Sequence, residues 1–331
     1  MCPWTACEFS LRTTLGFSRL PAGPGRRRCF WARSFGAALF VLLALAPAPA
    51  LAQNEWTPLV RRLEADGFDR GRMEALFARP EVRFEPQVMA RKMNALLDVK
   101  LSQDQPKAEA PEIYFSYLNP LLIIQARIFL ADQRNALREA RLRFDVPEEI
   151  LVALLLVETK LGRNVGGKSA LTTLASMALA GDFALVAPHI GRRDLSPKMA
   201  LWLRWRTAQK SAWAYKELKA LLVYAKAAGF DPASIPGSVY GAIGLCQFMP
   251  TNAVRYGADL DGDGRVDLFS AADALFSTAR FLKAHGWAAD LPRERQLAVL
   301  YRYNHSHAYT RTIMAVADIL RSPDGGVPGG Q

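Results

Sequence analysis

Residues 148–162 read EEILVALLLVETKLG, in which the largely apolar run from Ile150 to Thr159 carries one acid, Glu158, near its end. Two glutamates follow Pro147 and complement the positive end of a helix dipole. The run predicts a buried helix that extends to about Leu161 and stops at Gly162, because glycine commonly ends helices. A carboxylate in such a run is costly unless something compensates it. The position of Glu158 therefore requires an explanation.

The helical spacing places Glu158 beside Leu154 and Leu155, four and three positions before it. Removal of water by these neighbours disfavours the charged form and raises the pKa of a carboxyl group. A carboxylic acid that is still protonated near neutral pH is suited to act as a general acid in glycoside cleavage. The alternative is an ordinary helix-end acid that faces solvent or pairs with Lys160 or Arg163. The stretch alone does not decide between these two interpretations.

The rest of the chain also reads as helices, so the predicted fold class is mainly α, without a convincing series of strands. Two or three short amphipathic helices fall within 56–100, and a polar loop at 102–112 separates this portion from the main domain. A single helix is predicted from Pro120 to Phe144, and a long one over 198–228. Further helices extend to about Leu320.

Residues 1–52 have the features of a cleavable signal peptide. Three arginines, 26–28, precede the apolar segment 35–52, which ends in the small-x-small sequence Ala50-Leu51-Ala52. The alternative is a retained membrane anchor, but the apolar core is shorter than the ~20 residues that a membrane span needs. The predicted organisation is therefore a signal peptide (1–52), an N-terminal helical accessory portion (53–112), a catalytic domain (113–321) and a disordered tail (322–331).

Cysteine content and net charge bear on disulfide formation and on the charge of a binding partner. Cys246 is the only cysteine after residue 52, so no intramolecular disulfide is expected in the exported chain. The net charge of the whole chain is +11 at pH 7. Residues 1–52 hold six arginines and one glutamate, which leaves a modest excess of +6 for the rest of the chain. This excess suits loose attraction to an anionic polymer, either cell wall or nucleic acid, and does not choose between them.

A glycine-rich segment, PGSVYGAIGLCQFMPTNAVRYG, occupies residues 236–257. Its four glycines lie among Ser238, Tyr240, Gln247 and Tyr256, which is typical of a loop whose backbone passes close to another group and which carries polar and aromatic side chains. A phosphate-binding role is disfavoured, because the G-K-[ST] ending is missing.

An acidic segment, DLDGDGRVDLFSAAD, occupies residues 259–273 and predicts a calcium loop related to the EF-hand. Position 12 departs from the EF-hand pattern, because it is Ser270 and not a glutamate. Asp273, three residues later, is expected to supply the missing carboxylate. The alternative is an acidic, solvated turn. The predicted ligands are the side chains of Asp259, Asp261, Asp263, Asp267 and Asp273 and the carbonyl of Arg265.

The segment YRYNHSHAY, residues 301–309, clusters aromatic and polar groups of the kind that stack on sugar rings and hydrogen-bond to them. Its two histidines, His305 and His307, have no nearby acidic or thiol partner in the sequence. They are therefore interpreted as ordinary surface residues and not as metal ligands.

Together, in this order, the four segments resemble the lytic murein transglycosylase B family of bacterial cell-wall enzymes. The segments that carry the resemblance are ILVALLLVETKLG, GSVYGAIGLCQFMP, the aspartate-rich loop followed by a helix ending KAHGW, and YNHSHAY. The resemblance covers about residues 113–320 and is strongest over 236–309.

The resemblance implies a periplasmic enzyme with a lysozyme-like helical fold and a structural calcium ion. Its substrate would be peptidoglycan, cut between N-acetylmuramic acid and N-acetylglucosamine to leave a 1,6-anhydro product. Complexes for cell-wall synthesis or division are possible partners on this interpretation, and nucleic acid is not expected. One glutamate would act as both acid and base, and Glu158 is the matching residue.

The resemblance also implies a substrate groove near Glu158. Ser238 would orient the N-acetyl group of the substrate. Substrate contacts are also expected from the following residues: Gln247, Tyr303, Asn304, Tyr309, Lys210, Trp213 and Tyr114, with Tyr117 as an alternative to Tyr114.

This sequence departs from the family pattern at several positions. Leu156 stands where the family has glycine, and Leu161 stands where it has an aromatic residue. The connection from residue 182 to 212 is longer than expected, and near Lys210 and Trp213 it replaces an arginine and a tyrosine of the family pattern. Two other functions therefore remain open: a peptidoglycan-binding protein with weak or lost catalysis, and a lysozyme-like muramidase.

Overall fold

The computed structural model describes residues 55–102 and 112–322. The signal peptide predicted for 1–52, most of the polar loop at 102–112 and most of the tail predicted from 322 lie outside the described residues. Within the described part of the chain, thirteen α-helices and one two-stranded sheet are present. The prediction of a mainly α fold is confirmed. No helix in these ranges is both long enough and apolar enough to span a membrane.

The first three helices form the N-terminal portion: α1 (Thr57–Ala65), α2 (Arg70–Phe77) and α3 (Pro86–Leu101). Asp69 caps α2 by accepting a hydrogen bond from the backbone N–H of Arg72. Proline occupies the first turn of α1 and of α3, where its missing N–H has no helical partner to lose. Local sequence therefore accounts for where these helices begin.

The predicted single helix from Pro120 to Phe144 is wrong. A short 3₁₀ turn (Phe115–Leu118) leads into α4 (Pro120–Asp132), and α5 (Arg134–Phe144) follows after a break at Gln133. The break allows α4 to pack against the helix at 148–159 while α5 packs mainly against a later helix at 271–284. Tertiary packing therefore overrides the continuous helical propensity of this segment.

The apolar stretch that contains Glu158 forms α6 (Glu148–Thr159). Nine of its twelve residues are buried, so the helix lies in the interior as its composition predicts. It ends two residues earlier than expected, because Lys160 and Leu161 already adopt left-handed backbone conformations before Gly162. The end of α6 is therefore a tight turn directly after Glu158.

The middle of the chain contains one long helix and a small sheet. The elements are β1 (Lys168–Ser169), α7 (Ala170–Leu179), α8 (Phe183–Val186), α9 (Pro197–Ala228) and β2 (Pro236–Gly237). The long helix predicted over 198–228 is confirmed as α9, which is capped by Ser196 and ends at Gly229 with φ of 74°. β1 and β2 pair antiparallel and join the start of α7 to the glycine-rich segment.

Four helices complete the described residues: α10 (Pro250–Tyr256), α11 (Ala271–Ala284), α12 (Arg293–Tyr303) and α13 (His307–Arg321). α13 packs against α6, and α11 packs against α5. A single cluster of buried apolar residues runs from Trp56 in the N-terminal portion to Leu320 in α13. The N-terminal portion and the predicted catalytic domain therefore share one core.

Candidate active site

Glu158 lies in the last turn of α6 and is half-buried. Its Oε1 accepts a hydrogen bond from the hydroxyl of Tyr309, at 2.6 Å. Burial raises the pKa of Glu158 to about 7, and the hydrogen bond from Tyr309 opposes this rise. The carboxyl is thus bonded to a buried tyrosine rather than to Lys160 or Arg163, so the interpretation as an ordinary surface acid is wrong.

The residue after Glu158 fixes the end of the helix. Thr159 is fully buried, and its hydroxyl donates to the carbonyl of Leu245 at 2.9 Å. The same hydroxyl accepts from the N–H of Gly162 at 3.0 Å. Thr159 therefore ties the turn after α6 to the glycine-rich segment and holds the Glu158 backbone in place.

The charge of Glu158 acts on three tyrosines. Burial raises the pKa values of Tyr117, Tyr303 and Tyr309, and the charge of Glu158 raises each of them further. Tyr303 donates its hydroxyl to the carbonyl of Cys246, and its ring packs edge-on against Phe281 at 5.0 Å. The Tyr303 hydroxyl is therefore committed to the backbone, while its ring remains half-buried at the site.

Tyr114 lies at the edge of the same neighbourhood. Its backbone N–H donates to the hydroxyl of Thr312 at 2.9 Å, and its own hydroxyl lies 3.4 Å from the hydroxyl of Ser306. Ser306 in turn caps α13 by accepting from the N–H of Tyr309. Tyr114 is therefore attached to the helix that carries the Glu158 partner.

The glycine-rich segment folds as a compact loop around Ser238. The Ser238 hydroxyl accepts hydrogen bonds from the N–H groups of Tyr240 and Ala242, at 3.3 and 3.0 Å. Gly244 has φ of 74°, and a Cβ there would lie 2.5 Å from the Leu268 side chain. This position therefore requires glycine both for its backbone conformation and for the close approach.

Gln247 also has a left-handed backbone, with φ of 48°, which is unusual for a residue with a side chain. Its side-chain amide donates to the carbonyls of Val165 and Gly244 at 3.2 and 2.9 Å, and these bonds support the strained backbone. Gln247 and Tyr303 line a cavity of about 170 Å³, whose other walls are Phe248, Met249, Asn252, Phe281 and His305. A larger cavity, of about 280 Å³, lies between α1 and α2 and has none of these residues in its walls.

Asn304 ends α12, and its side-chain Oδ1 is buried without a hydrogen-bond partner among the described residues. A buried acceptor without a partner is costly, which makes it a candidate to receive a bond from a ligand. His305 and His307 are exposed, and both rings pack against Tyr301. Their prediction as surface residues is confirmed.

Lys210 and Trp213 lie together on α9, where the ammonium of Lys210 is 5.4 Å from the centre of the Trp213 ring. Lys210 is buried. A different lysine reaches the glycine-rich segment: Lys92 of α3 places its ammonium 4.2 Å from the centre of the Tyr240 ring. Sequence analysis missed Lys92, because it comes from the N-terminal portion.

The acidic loop brings three of its predicted ligands together. Single carboxylate oxygens of Asp259, Asp261 and Asp273 all lie within 4.8 Å of one another. Asp273 is 1% exposed and accepts from two loop N–H groups, those of Leu260 and Asp267. Three converging carboxylates, one of them buried, fit a hard cation with oxygen ligands such as calcium.

The remaining acids of the loop shape its backbone. Asp263 accepts from the N–H of Arg265 at 2.8 Å, and Asp267 accepts from the N–H of Phe269 at 2.7 Å. The Asp263 and Asp267 carboxylates are not part of the converging group. The hydroxyl of Ser270 caps α11 by accepting from the N–H of Asp273 at 3.2 Å.

Comparison with known proteins adds an independent observation to this geometry. The family description for the transglycosylase SLT domain matches residues 52–298, which is most of the chain. The chain belongs to the transglycosylase SLT domain family. The predicted relationship to lytic transglycosylases is thereby confirmed.

A curated relative of this transglycosylase SLT domain is the membrane-bound lytic murein transglycosylase B of Escherichia coli (strain K12). The two sequences are 29% identical over 171 residues, which cover 52% of this chain and 40% of the relative. The chain therefore spans well under half the length of that curated relative.

Solved structures with the same fold include three transglycosylases. The soluble lytic transglycosylase SltB1 from Pseudomonas aeruginosa superposes with a TM-score of 0.60 at 21% identity, over 83% of this chain and 100% of that one. SltB3 from the same organism, solved with NAG-NAM-pentapeptide, superposes with a TM-score of 0.61 at 23% identity. The superposition covers 85% of this chain and 82% of that one. Escherichia coli Slt35, solved with calcium, superposes with a TM-score of 0.57 at 21% identity, over 81% of this chain and 92% of that one. These similarities confirm the predicted lysozyme-like helical fold.

Proposed function

We propose that the protein is a lytic transglycosylase that cleaves the β-1,4 bond between N-acetylmuramic acid and N-acetylglucosamine in peptidoglycan. The observation that carries the proposal is Glu158, a half-buried carboxyl whose pKa is raised to about 7 by burial. Its carboxyl accepts a hydrogen bond from the Tyr309 hydroxyl, which opposes this rise. Family membership and the peptidoglycan fragment bound to SltB3 support the same substrate class.

The mechanism uses one group twice. Protonated Glu158 donates its proton to the glycosidic oxygen, and the N-acetylglucosamine unit leaves with a free hydroxyl as the bond to the anomeric carbon breaks. The muramic acid N-acetyl group assists at that carbon. The Glu158 carboxylate then accepts the proton of the muramic acid C6 hydroxyl, whose oxygen bonds to the anomeric carbon and closes the 1,6-anhydro ring. Glu158 finishes protonated, ready for another cycle.

A pKa near 7 suits both halves of this cycle. A general acid and base works best when its pKa lies close to the operating pH, because both protonation states are then accessible. The Tyr309 hydroxyl donates to the carboxylate and steadies it between the two proton transfers. A muramidase that uses two carboxylates would need a second acid beside Glu158.

The groove residues are proposed to bind the two sugars. Ser238 already accepts two backbone N–H bonds, so its own O–H is the group with which it would donate to the N-acetyl carbonyl. The unpartnered Oδ1 of Asn304 would accept from a sugar hydroxyl or amide. Gln247, Tyr303 and Tyr114 would complete the walls of the groove near Glu158, with Lys210 and Trp213 further along the glycan strand.

Calcium is proposed as a structural ion held by Asp259, Asp261 and Asp273, with Asp263, Asp267 and the Arg265 carbonyl completing the loop. When bound, the ion would neutralise the converging carboxylates and brace the loop that precedes α11. The Slt35 structure solved with calcium supports this assignment. No organic cofactor takes part in the proposed reaction.

The protein is further proposed to act in the periplasm after removal of residues 1–52, with the proposed catalytic and sugar-binding residues all within 113–321. The described helices hold no membrane span, and the murein-related name of the curated relative supports action at the cell wall. Complexes with cell-wall synthesis or division proteins remain a prediction from the resemblance alone.

The test is digestion of purified sacculi followed by mass spectrometry of the soluble products. Anhydromuropeptides are expected from the wild type and not from Glu158→Gln, whereas Glu148→Gln, on the same helix, should retain activity. Reducing-end products would show a muramidase instead. Binding of sacculi without any release would show a binding protein, and it would overturn the proposed catalysis.

A further inference from the structure

A basic and aromatic surface on α9 has no role in the proposed reaction. Leu201 and Trp205 are 69% and 57% exposed. They are four residues apart on one helix, so their side chains lie one above the other on the same face. Large apolar side chains that remain this exposed on neighbouring turns form a patch that needs an explanation. We call these two residues the α9 stripe.

Positive charges flank the α9 stripe on both sides. Arg204 and Arg206 are the sequence neighbours of Trp205, so they project about 100° to either side of it. The Arg206 guanidinium lies 5.5 Å from the centre of the Trp205 ring, and Lys100 of α3 lies 5.1 Å from the ring of Trp202. Lys198, Arg192 and Arg193 are exposed just before the stripe, and Asp194 is the one acid in residues 189–210.

We propose that the α9 stripe docks the protein on the surface of an anionic lipid bilayer. A helix that presents tryptophan and leucine on one face with arginine and lysine along its edges is suited to lie in the headgroup region. The apolar side chains enter the boundary between headgroups and acyl chains, and the basic groups pair with acidic headgroups. Long basic side chains can do this while their stems stay in the apolar layer.

Two other occupants fit this surface less well. Sugar-binding sites are usually concave and use aromatic faces with polar groups, whereas the α9 stripe is a convex helix surface on which leucine is the most exposed residue. A second copy of the chain would bring the same positive charges together, and like charges oppose such a contact. Charge complementarity therefore favours an acidic membrane surface.

The first measurement is co-sedimentation with vesicles of phosphatidylcholine alone and of phosphatidylcholine mixed with phosphatidylglycerol. The protein is isolated after export and its N terminus is read by mass spectrometry, so that variants with the same N terminus are compared. Binding is expected to the acidic vesicles only, and to weaken as salt is added, because exposed charges are screened. Equal binding to both vesicles would overturn the charge argument.

The second measurement locates the contact. Leu201→Ser with Trp205→Ser should weaken binding by about tenfold or more, because two large apolar side chains leave the interface. Val254→Ser, at a residue that is 50% exposed on α10, is the matched control and should bind as the wild type does. Brominated lipids should quench less of the total tryptophan fluorescence in Trp205→Phe than in the wild type.

Three outcomes would refute the proposal. The double variant could bind acidic vesicles as well as the wild type does. It could instead lose binding to sacculi, which would make the stripe a glycan site, or change its oligomeric state, which would make it a contact between copies. Glu158→Gln should still bind vesicles, so failure of the proposed catalysis and failure of membrane docking are distinguishable.

Discussion

Two features of the structure act in opposite directions on the pKa of Glu158. Burial favours the neutral acid, and the hydrogen bond from Tyr309 favours the carboxylate. Burial is the larger effect, so the pKa stays raised, at about 7. The group therefore changes charge near neutral pH, which is what a single acid and base requires.

The rate of product release should follow the protonation of Glu158. The acid form is needed for the first proton transfer, so activity should be highest below pH 7 and fall as pH rises through about 7. Tyr309→Phe removes the hydrogen bond that lowers the pKa of Glu158. The fall in activity should therefore move to higher pH, and the rate should also be reduced. Initial rates of anhydromuropeptide release across pH check both effects. A midpoint that stays in place would assign Tyr309 a structural role only.

Glu158 should also make folding stability depend on pH. Its pKa is about 7 in the folded state and 4.5 in its ordinary state, so the folded protein holds the proton more tightly. Stability should therefore fall as pH rises from about 4.5 to 7, by up to about 3 kcal/mol. Glu158→Gln should remove this fall and be the more stable protein above pH 7, as measured by urea unfolding below and above that pH. Equal free energies of unfolding for the wild type and Glu158→Gln at both pH values would contradict the raised pKa of Glu158.

At the scale of the elements, the site is assembled from segments that are distant in sequence. α6 supplies Glu158, α13 supplies Tyr309 from 151 residues away, and Lys92 of α3 contacts the ring of Tyr240. Thr159 fastens the end of α6 to the glycine-rich segment. The geometry of the carboxyl thus depends on how α6, α13 and the glycine-rich segment pack.

The acidic loop should respond to calcium as an element. Calcium is expected to raise Tm, at about 2–4 °C for each kcal/mol of binding energy gained, and a chelator should reverse the rise. Asp273→Asn should abolish most of this effect, because Asp273 is buried within the converging carboxylates. Asp263→Asn, outside that group, should abolish less of it. Differential scanning calorimetry with and without calcium shows which variant loses more of the rise in Tm. A larger loss in Asp263→Asn than in Asp273→Asn would contradict the proposed geometry.

Some of these elements were predictable from sequence, and others were not. The apolar run around Glu158 and the capped length of α9 identify their helices, because periodicity and end signals agree there. The break at Gln133 carries no glycine or proline, so it was missed. Residue types in short motifs pointed to Glu158 and the acidic loop. The hydrogen bond from Tyr309 was not predictable, because local patterns do not encode a contact between distant segments.

At the scale of the whole molecule, the N-terminal helices are part of the same body as the rest. The Tyr215 hydroxyl donates to the Arg62 carbonyl at 2.8 Å, and the N–H of Glu85 donates to the Ser176 hydroxyl at 2.9 Å. Both bonds join α1 or the start of α3 to later helices, and the apolar core is continuous across the same boundary. The boundary predicted near residue 112 therefore reflects a change in sequence composition and does not divide the fold.

The described protein should unfold in one cooperative step, because its parts share a single core. Calorimetry should give one transition, and fluorescence and circular dichroism should report the same midpoint. A chain that begins at Glu112 should fail to fold, since it would expose the surfaces of α7 and α9 on which α3 packs. Two separated transitions, or a stable truncated protein, would show that the N-terminal helices are an independent domain.

The burial of Cys246 gives the protein an internal reporter of transient opening. Its thiol is fully buried, burial raises its pKa to about 12, and its carbonyl accepts the hydrogen bond from the Tyr303 hydroxyl. A thiol reagent can react there only when the floor of the groove opens, so the labelling rate measures how often it does. Occupation of the groove by a glycan should slow labelling at this residue. Substrate engagement could then be timed in variants that no longer turn over.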